Sequence, residues 1–173
     1  MIEIVFPKPE DAEAIQMVFY KSWLDTYPNK EVGITIDDVE HWYKDDWNGK
    51  IEKQRARIAN PPENQSFFIA KDGDNVVGVC RIVKYPDKNQ LQAIYVLPDQ
   101  QRKGIGKMLW DKALEILDPS KDTIVQVADY NKKAIEFYKK LGFVDTGKRF
   151  SDEHFRMKSG AIIPEMEMII KSH

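Results

Sequence analysis

A mixed α/β single domain is the fold predicted for residues 1–173, on three observations. Apolar residues make up 42% of the chain and are spread along its whole length, enough for one ordinary core and too many for a disordered chain. Helical apolar spacing dominates roughly the first third, then strand and helix periods alternate to the end. The length also falls within the range of about 100–200 residues usual for one domain.

The elements follow in order. Ile2, Ile4 and Phe6 alternate with Glu3 and Val5 as a short strand ended by Pro7 and Pro9. Residues 10–24 carry Ala14, Ile15, Val18, Phe19 and Trp23 on one helical stripe, and Thr26-Tyr27-Pro28-Asn29 is a turn. Thr35 precedes Asp37 and Asp38, a capping-box-like start with acids in the first turn; that helix is expected to reach about Trp47, and Lys50 to Ile58 is a further helical piece stopped by Asn60-Pro61-Pro62. Phe67 to Ala70 and Val76 to Val83 are strands joined by the hairpin signal Asp72-Gly73-Asp74-Asn75. Leu91 to Leu97 is a strand ended by Pro98. Ile105, Met108, Leu109, Ala113, Ile116 and Leu117 share one face of a helix over 105–117. Ile124 to Val127 is a strand, and Ala134, Phe137, Tyr138 and Leu141 mark a helix terminated by Gly142. Phe143-Val144 and Ile163 to Ile170 close the chain as strands.

Composition excludes several classes. Lys and Arg total 26 against 28 Asp and Glu, a net charge of -2, which is not the basic balance of a general nucleic-acid binder. The single Cys80 cannot build a disulfide framework, and one Cys with three scattered His makes no structural metal site. No basic leader precedes Met1 to Phe6, and no run of 18 apolar residues spans a membrane, so the expected setting is cytoplasmic. The charge is uneven, however. Residues 1–46 hold eleven acids and four bases, a net of -7, while residues 100–112 hold Arg102, Lys103, Lys107 and Lys112 against Asp111, a net of +3. A solvated helix face and a basic turn would account for both segments without further function.

The most informative segment runs from Ile94 to Lys107: a strand, a short turn, and Gly104 and Gly106 at the opening of an amphipathic helix. The first amides of a helix lack intrahelical partners and carry positive partial charge, and glycines let a phosphate approach them. Arg102, Lys103 and Lys107 add charge at the same end, an arrangement suited to a pyrophosphate. The dinucleotide fingerprint fails because Leu109 stands where its third glycine belongs; the P-loop fails because Met108 follows Lys107 and position 101 is Gln.

Gln101, Gly104 and Gly106 instead resemble the Arg/Gln-x-x-Gly-x-Gly/Ala motif of the GNAT N-acyltransferase superfamily. Downstream, Asn131, Ala134, Phe137-Tyr138 and Gly142-Phe143 are similar to that family's Asn-x-x-Ala-x-x-Phe-Tyr-x-x-x-Gly-Phe segment. The close resemblance covers about residues 91–144. It implies a GNAT-like fold, with a mixed, mostly antiparallel central sheet flanked by helices, and acetyl-CoA or a close acyl-CoA as donor, with no metal. It further implies that Ile94, Tyr95 and Val96 grip the pantetheine with backbone groups. The pyrophosphate falls to the loop amides of Arg102, Lys103, Gly104, Ile105, Gly106 and Lys107. Asn131 would hydrogen-bond the cofactor, and Tyr138 would lie near the sulfur as general acid for the departing thiolate. Asn131 and Tyr138 are seven residues apart, two helical turns, so they share a face.

In such a reaction an amine attacks the thioester directly, and amides near Val96 polarise the carbonyl oxygen. A primary amine of pKa about 10.4 costs about 4 kcal/mol to deprotonate near pH 7.4. Gln92 stands on the fourth strand where some relatives carry a glutamate, so a remote carboxylate acting through water is expected. Without the motifs, Asn131 is a helix cap and Tyr138 is packing. Cys80 reads as a buried small hydrophobe, and His41 and His154 as surface or structural groups.

The family's acceptor site is shaped by the first two helices and the loop between the last strands. Here that is the acidic quarter, with Trp23, Tyr27 and Asp37 as candidate substrate contacts, and Ser22-Trp23-x-x-Thr26-Tyr27 resembles bacterial polyamine-acetylating members. Acid charge and aromatic faces suit a small cationic amine. Acetylation of protein N-termini or lysines, and a non-catalytic acyl-CoA sensor, are the alternatives. The closing strands leave a homodimer open.

Overall fold

Seven strands and five helices follow the expected order in the computed structural model, which describes residues 1–172. They are β1 (Ile2–Val5), α1 (Ala12–Thr26), α2 (Ile36–Lys44), α3 (Trp47–Ala59), β2 (Gln65–Asp72), β3 (Asn75–Lys84), β4 (Asn89–Val96), α4 (Ile105–Leu114), β5 (Thr123–Ala128), α5 (Lys132–Leu141), β6 (Val144–Ser151) and β7 (Pro164–Ile170). The strands form one sheet in the order β1-β2-β3-β4-β5-β7-β6, antiparallel throughout except where β4 meets β5.

That parallel junction is short. Only Asn89, Gln90 and Leu91 pair with Thr123, Ile124 and Val125. Beyond it β4 carries a bulge: Ile82 pairs with Leu91 but Arg81 pairs with Ala93, so Gln92 is the extra residue. A bulge bends and twists its strand, and here it coincides with the point where β4 leaves β5. From Gln92 to Val96 β4 has no partner on its β5 side, and Gln126 to Ala128 have none on their β4 side. The closed end is held by Asn89, fully buried. Its side-chain amide donates to the Asp118 carbonyl at 2.8 Å and to Thr123 Oγ1 at 3.3 Å, while its side-chain oxygen accepts from Asp118 N–H at 3.3 Å.

Helices cover both faces. Ile105, Leu109, Trp110 and Ala113 of α4 pack with Tyr138 of α5 onto Phe68, Cys80, Ile82, Val125 and Met168. Gly78 on β3 permits the close approach of α4, since a Cβ there would lie 3.1 Å from Leu109 Cδ1 and 3.2 Å from the Tyr95 carbonyl. On the other face Ile15 and Val18 of α1 pack on Ile69 and Val79. An aromatic group from α1 and α2, including Trp23 and Tyr43, packs around Ala128, Met157 and Ile163.

Element ends differ from expectation in identifiable ways. The second helix stops at Lys44, and α3 already starts at Trp47, because Asp46 adopts a left-handed conformation (φ 55°) between them. Gly49 leaves room for that residue's carboxylate: a Cβ would clash with it. The strand expected at Phe143-Val144 extends as β6 to Ser151, nearly all of it exposed. An edge strand with no buried face has no apolar alternation for a sequence to display.

Candidate active site

The divergence of β4 and β5 opens a cleft between two lips that do not pair with each other, with the Val96 carbonyl taken by Gln101 and the Ala128 carbonyl by Asn131 N–H. On the β4 lip stand Ile94, Tyr95 and Val96; on the β5 lip, Val127 and Ala128. One end of the cleft meets the start of α4. The first helical bond there runs from Met108 N–H to the Gly104 carbonyl at 3.0 Å, leaving the amides of Ile105, Gly106 and Lys107 without intrahelical partners. Arg102 and Gly104 both adopt the left-handed conformation (φ 63° and 81°), which aims this turn outward. Nothing lies within 4 Å of where a Gly104 Cβ would be, so the approach is open.

The motif residues divide into distinct tasks. Gln101 donates its side-chain amide to the Val96 carbonyl at 3.2 Å, tying the loop to the end of β4. Gly106 makes room for α5: a Cβ would come within 3.1 Å of Phe137 Cζ, so the two sequence motifs meet at this contact. The missing Cβ, expected to admit a phosphate, makes room for the Phe137 ring. Lys103 donates to Gln100 at 2.9 Å and Lys107 pairs with Asp111. Arg102 has no acidic partner among the described residues.

On the β5 side Asn131 caps α5, its side-chain oxygen accepting from Ala134 N–H at 3.2 Å. Two turns on, Tyr138 is buried and packs edge-on to Phe143 with ring centroids 5.6 Å apart. Burial, followed by Tyr95 and Cys80 close by, pushes the Tyr138 phenol far above its ordinary pKa, so it remains protonated. Cys80 is buried beneath, its thiol also pushed up by burial. It stays a thiol rather than a nucleophilic thiolate.

Across the cleft the hydroxyls of Tyr95 and Tyr27 are 2.9 Å apart, and Tyr130 donates to the Tyr27 carbonyl at 2.8 Å. The structure therefore brings Tyr27, at the end of α1, to β4. Trp23 is only 6% exposed, with its ring centroid 4.5 Å from that of Tyr27 and stacked at 5.9 Å on Trp42. It is a core residue of the aromatic group. Asp37 is exposed in an open hollow with Glu40, His41, Lys44 and Lys158, and makes no hydrogen bond to the Tyr27–Tyr95 pair.

Parts of the acidic quarter serve the fold. Asp38, counted in that quarter, accepts from Thr35 and from Ser159 N–H (2.9 Å) and Oγ (2.8 Å), fastening α2 to the turn before β7. Burial opposes its charge, but these hydrogen bonds outweigh it and hold its pKa below the usual value. Asp11 pairs with Lys71 at 2.7 Å. A carboxylate not anticipated lies on β7: Glu165, half-buried, pairs with Ala128 at the tip of the β5 lip. Burial, followed by Asp152, pushes its carboxyl up to about 7.

Comparison with known proteins bears on what such a cleft serves. Residues 36–143 match the model of the acetyltransferase (GNAT) family. The chain belongs to the GNAT acetyltransferase family. A probable N-acetyltransferase of Mycobacterium tuberculosis is 35% identical to this GNAT acetyltransferase over 171 residues, covering 95% of this chain and 91% of its own. The peptidyl-lysine N-acetyltransferase YjaB of Salmonella typhimurium is 35% identical over 92 residues, 53% of this chain and 59% of that one. Among solved structures, the PaiA N-acetyltransferase of Thermoplasma acidophilum in complex with coenzyme A has the same fold. Its TM-score is 0.77 at 22% identity, and the match covers 99% of both chains. The family and its N-acetyltransferase relatives make this chain an acyltransferase.

Proposed function

We propose that this GNAT member transfers the acetyl group of acetyl-CoA directly to the amine of a small, polyamine-like acceptor. The observation that carries the donor half is the cleft. A pantetheine arm can pair with the side of Ile94 to Val96 that β5 leaves open, where Gln101 takes the Val96 carbonyl. The anionic pyrophosphate suits the amides of Ile105 to Lys107, which lack intrahelical partners, beside Arg102. Asn131 has its side-chain oxygen in the α5 cap, which leaves its amide nitrogen for the cofactor. The free thiol and the donor suit a reducing, cytoplasmic setting.

In the reaction the amine nitrogen forms a bond to the thioester carbon while the carbonyl electron pair moves to oxygen. Collapse breaks the carbon–sulfur bond. Tyr138 gives its proton to the thiolate and regains one from the nitrogen of the new amide. Burial keeps the phenol protonated, so the proton is in place when sulfur departs.

The acceptor half is supported by the aromatic and acidic character of the α1–α2 face. Tyr27, part-exposed beside Tyr95, offers a ring face and Asp37 a negative charge to a cation, while Trp23 backs Tyr27 from the core. A second reading, a peptidyl-lysine acceptor, is favoured by the Salmonella relative's stated activity. Thermal shifts with CoA thioesters, followed by acetylation assays on spermidine, lysine peptides and aminoglycosides, separate the readings. Binding of acetyl-CoA with turnover of a polyamine is the expected result. Lysine-peptide turnover alone would favour the second reading, and no binding of any CoA thioester would remove both.

A further inference from the structure

An ammonium acceptor must lose a proton before its nitrogen can attack, and β4 supplies no carboxylate at the bulge, where Gln92 stands. We propose that Glu165 is the proton acceptor, taking the amine's proton through a bridging water at the tip of the cleft; this rests on the amine-acetylation reading above.

Register and packing support the assignment. Glu165 pairs with Ala128, the last residue of the β5 lip, and with Phe150 of β6 on its other side. Its neighbours along the strand, Met166 and Pro164, point the opposite way; Met166 lies in the core beneath α4 and α5. Glu165 therefore lies on the α1–α2 face, where Ala128 and Tyr95 also pack. The Glu165 charge acts on the Tyr95 hydroxyl across the opening, so the two share one electrostatic environment.

No cation neutralises this carboxylate among the described residues. Arg149 of β6 grips Asp145 with two bonds of 2.9 and 2.7 Å, and Lys148 faces Glu167 at 3.6 Å. The charged group that acts on it is Asp152. Asp152 follows β6, and Asp129 follows β5 with its amide donating to the Pro164 carbonyl at 2.9 Å. Burial and Asp152 bring the carboxyl to about 7, near the operating pH, where a general base works best. The proton balance closes: R–NH3+ gives one proton to Glu165, the neutral amine attacks, and Glu165 releases that proton to solvent after the amide has formed.

The test is the pH dependence of kcat/KM with acetyl-CoA and the amine that the wild-type chain turns over, compared for wild type, Glu165→Gln and Glu165→Asp. In wild type an acidic limb near pH 7 is expected, followed by a plateau. In Glu165→Gln that limb should vanish and the rate should fall about 10²–10⁴-fold at neutral pH, recovering towards the amine's own pKa of about 10. Glu165→Asp should restore part of the rate together with the limb. All three proteins should bind acetyl-CoA alike in thermal shifts. A Glu165→Gln variant that keeps the limb near pH 7 overturns the proposal. So does an infrared titration, taken as the difference between wild type and Glu165→Gln, that finds the carboxyl ionising below pH 5. Wild-type protein that binds donor but acetylates no amine removes the reading on which the proposal stands, an outcome distinct from either.

Discussion

At the scale of single residues, burial sets the chemistry available to the cleft. Tyr138, enclosed by Phe137 and Phe143, keeps its proton well beyond the ordinary phenol range. Tyr138→Phe should bind acetyl-CoA as wild type does but lose about 10²–10⁴ in kcat, measured with saturating donor. Unchanged turnover would take Tyr138 out of the mechanism. Gly104 serves by conformation and by absence. At φ 81° an alanine costs about 1–2 kcal/mol, and its methyl would intrude on the open approach to the helix amides. Gly104→Ala should therefore weaken acetyl-CoA more than acetyl-pantetheine, which lacks the pyrophosphate; equal loss of both would exclude a phosphate role for this turn. Both positions were legible in the sequence, because each sits in a short motif with fixed spacing. Gly106 was legible as a glycine but not in its task, since the Phe137 ring that fills its space lies 31 residues on.

At the scale of elements, the cleft exists because β4 and β5 pair at one end only. Asn89 holds that end with hydrogen bonds to Asp118 and Thr123. Asn89→Ala strands these buried groups and should cost about 2–3 kcal/mol in urea unfolding. A change under 0.5 kcal/mol would mean that the junction is held elsewhere. The apolar period locates α1, α4 and α5, although α4 ends at Leu114, three residues before the expected end at Leu117. The polar edge strand β6 was mostly invisible, because solvent contacts both its faces. The bulge at Gln92 left no local signal either; it arises from how β3 and β4 align.

At the scale of the whole molecule, a ligand in the cleft would bridge the two halves of the sheet. Donor at a hundred times its Kd should stabilise the protein by about 2.7 kcal/mol. Hydrogen exchange at Ile94 to Val96 and at Gln126 to Ala128 should slow together; protection of one lip alone would contradict a bridging ligand. Charge also acts globally through Glu165. Its carboxyl ionises at about 7 in the folded chain and near 4.5 when unfolded, so between those values the folded state holds the extra proton. Stability from this group should fall as pH rises from about 4.5 to 7 and then level off. Glu165→Gln should accordingly melt higher than wild type at pH 8 and alike at pH 4, as followed by thermal denaturation; the reverse order would mean an ordinary carboxylate.

The sequence by itself determined the order of elements, the basic glycine turn opening α4, and the Phe137-Tyr138 pair on α5, because each follows from local spacing. Only the tertiary structure decided which charges matter. Asp37 and Asp38 are adjacent, yet one is exposed and the other is clamped by Ser159, 121 residues away. Glu165 and Glu167 alternate identically along β7, and only Glu165 pairs with the tip of the β5 lip. A carboxylate's pKa depends on what surrounds it, and those surroundings are set by strand register across long stretches of chain rather than by its sequence neighbours.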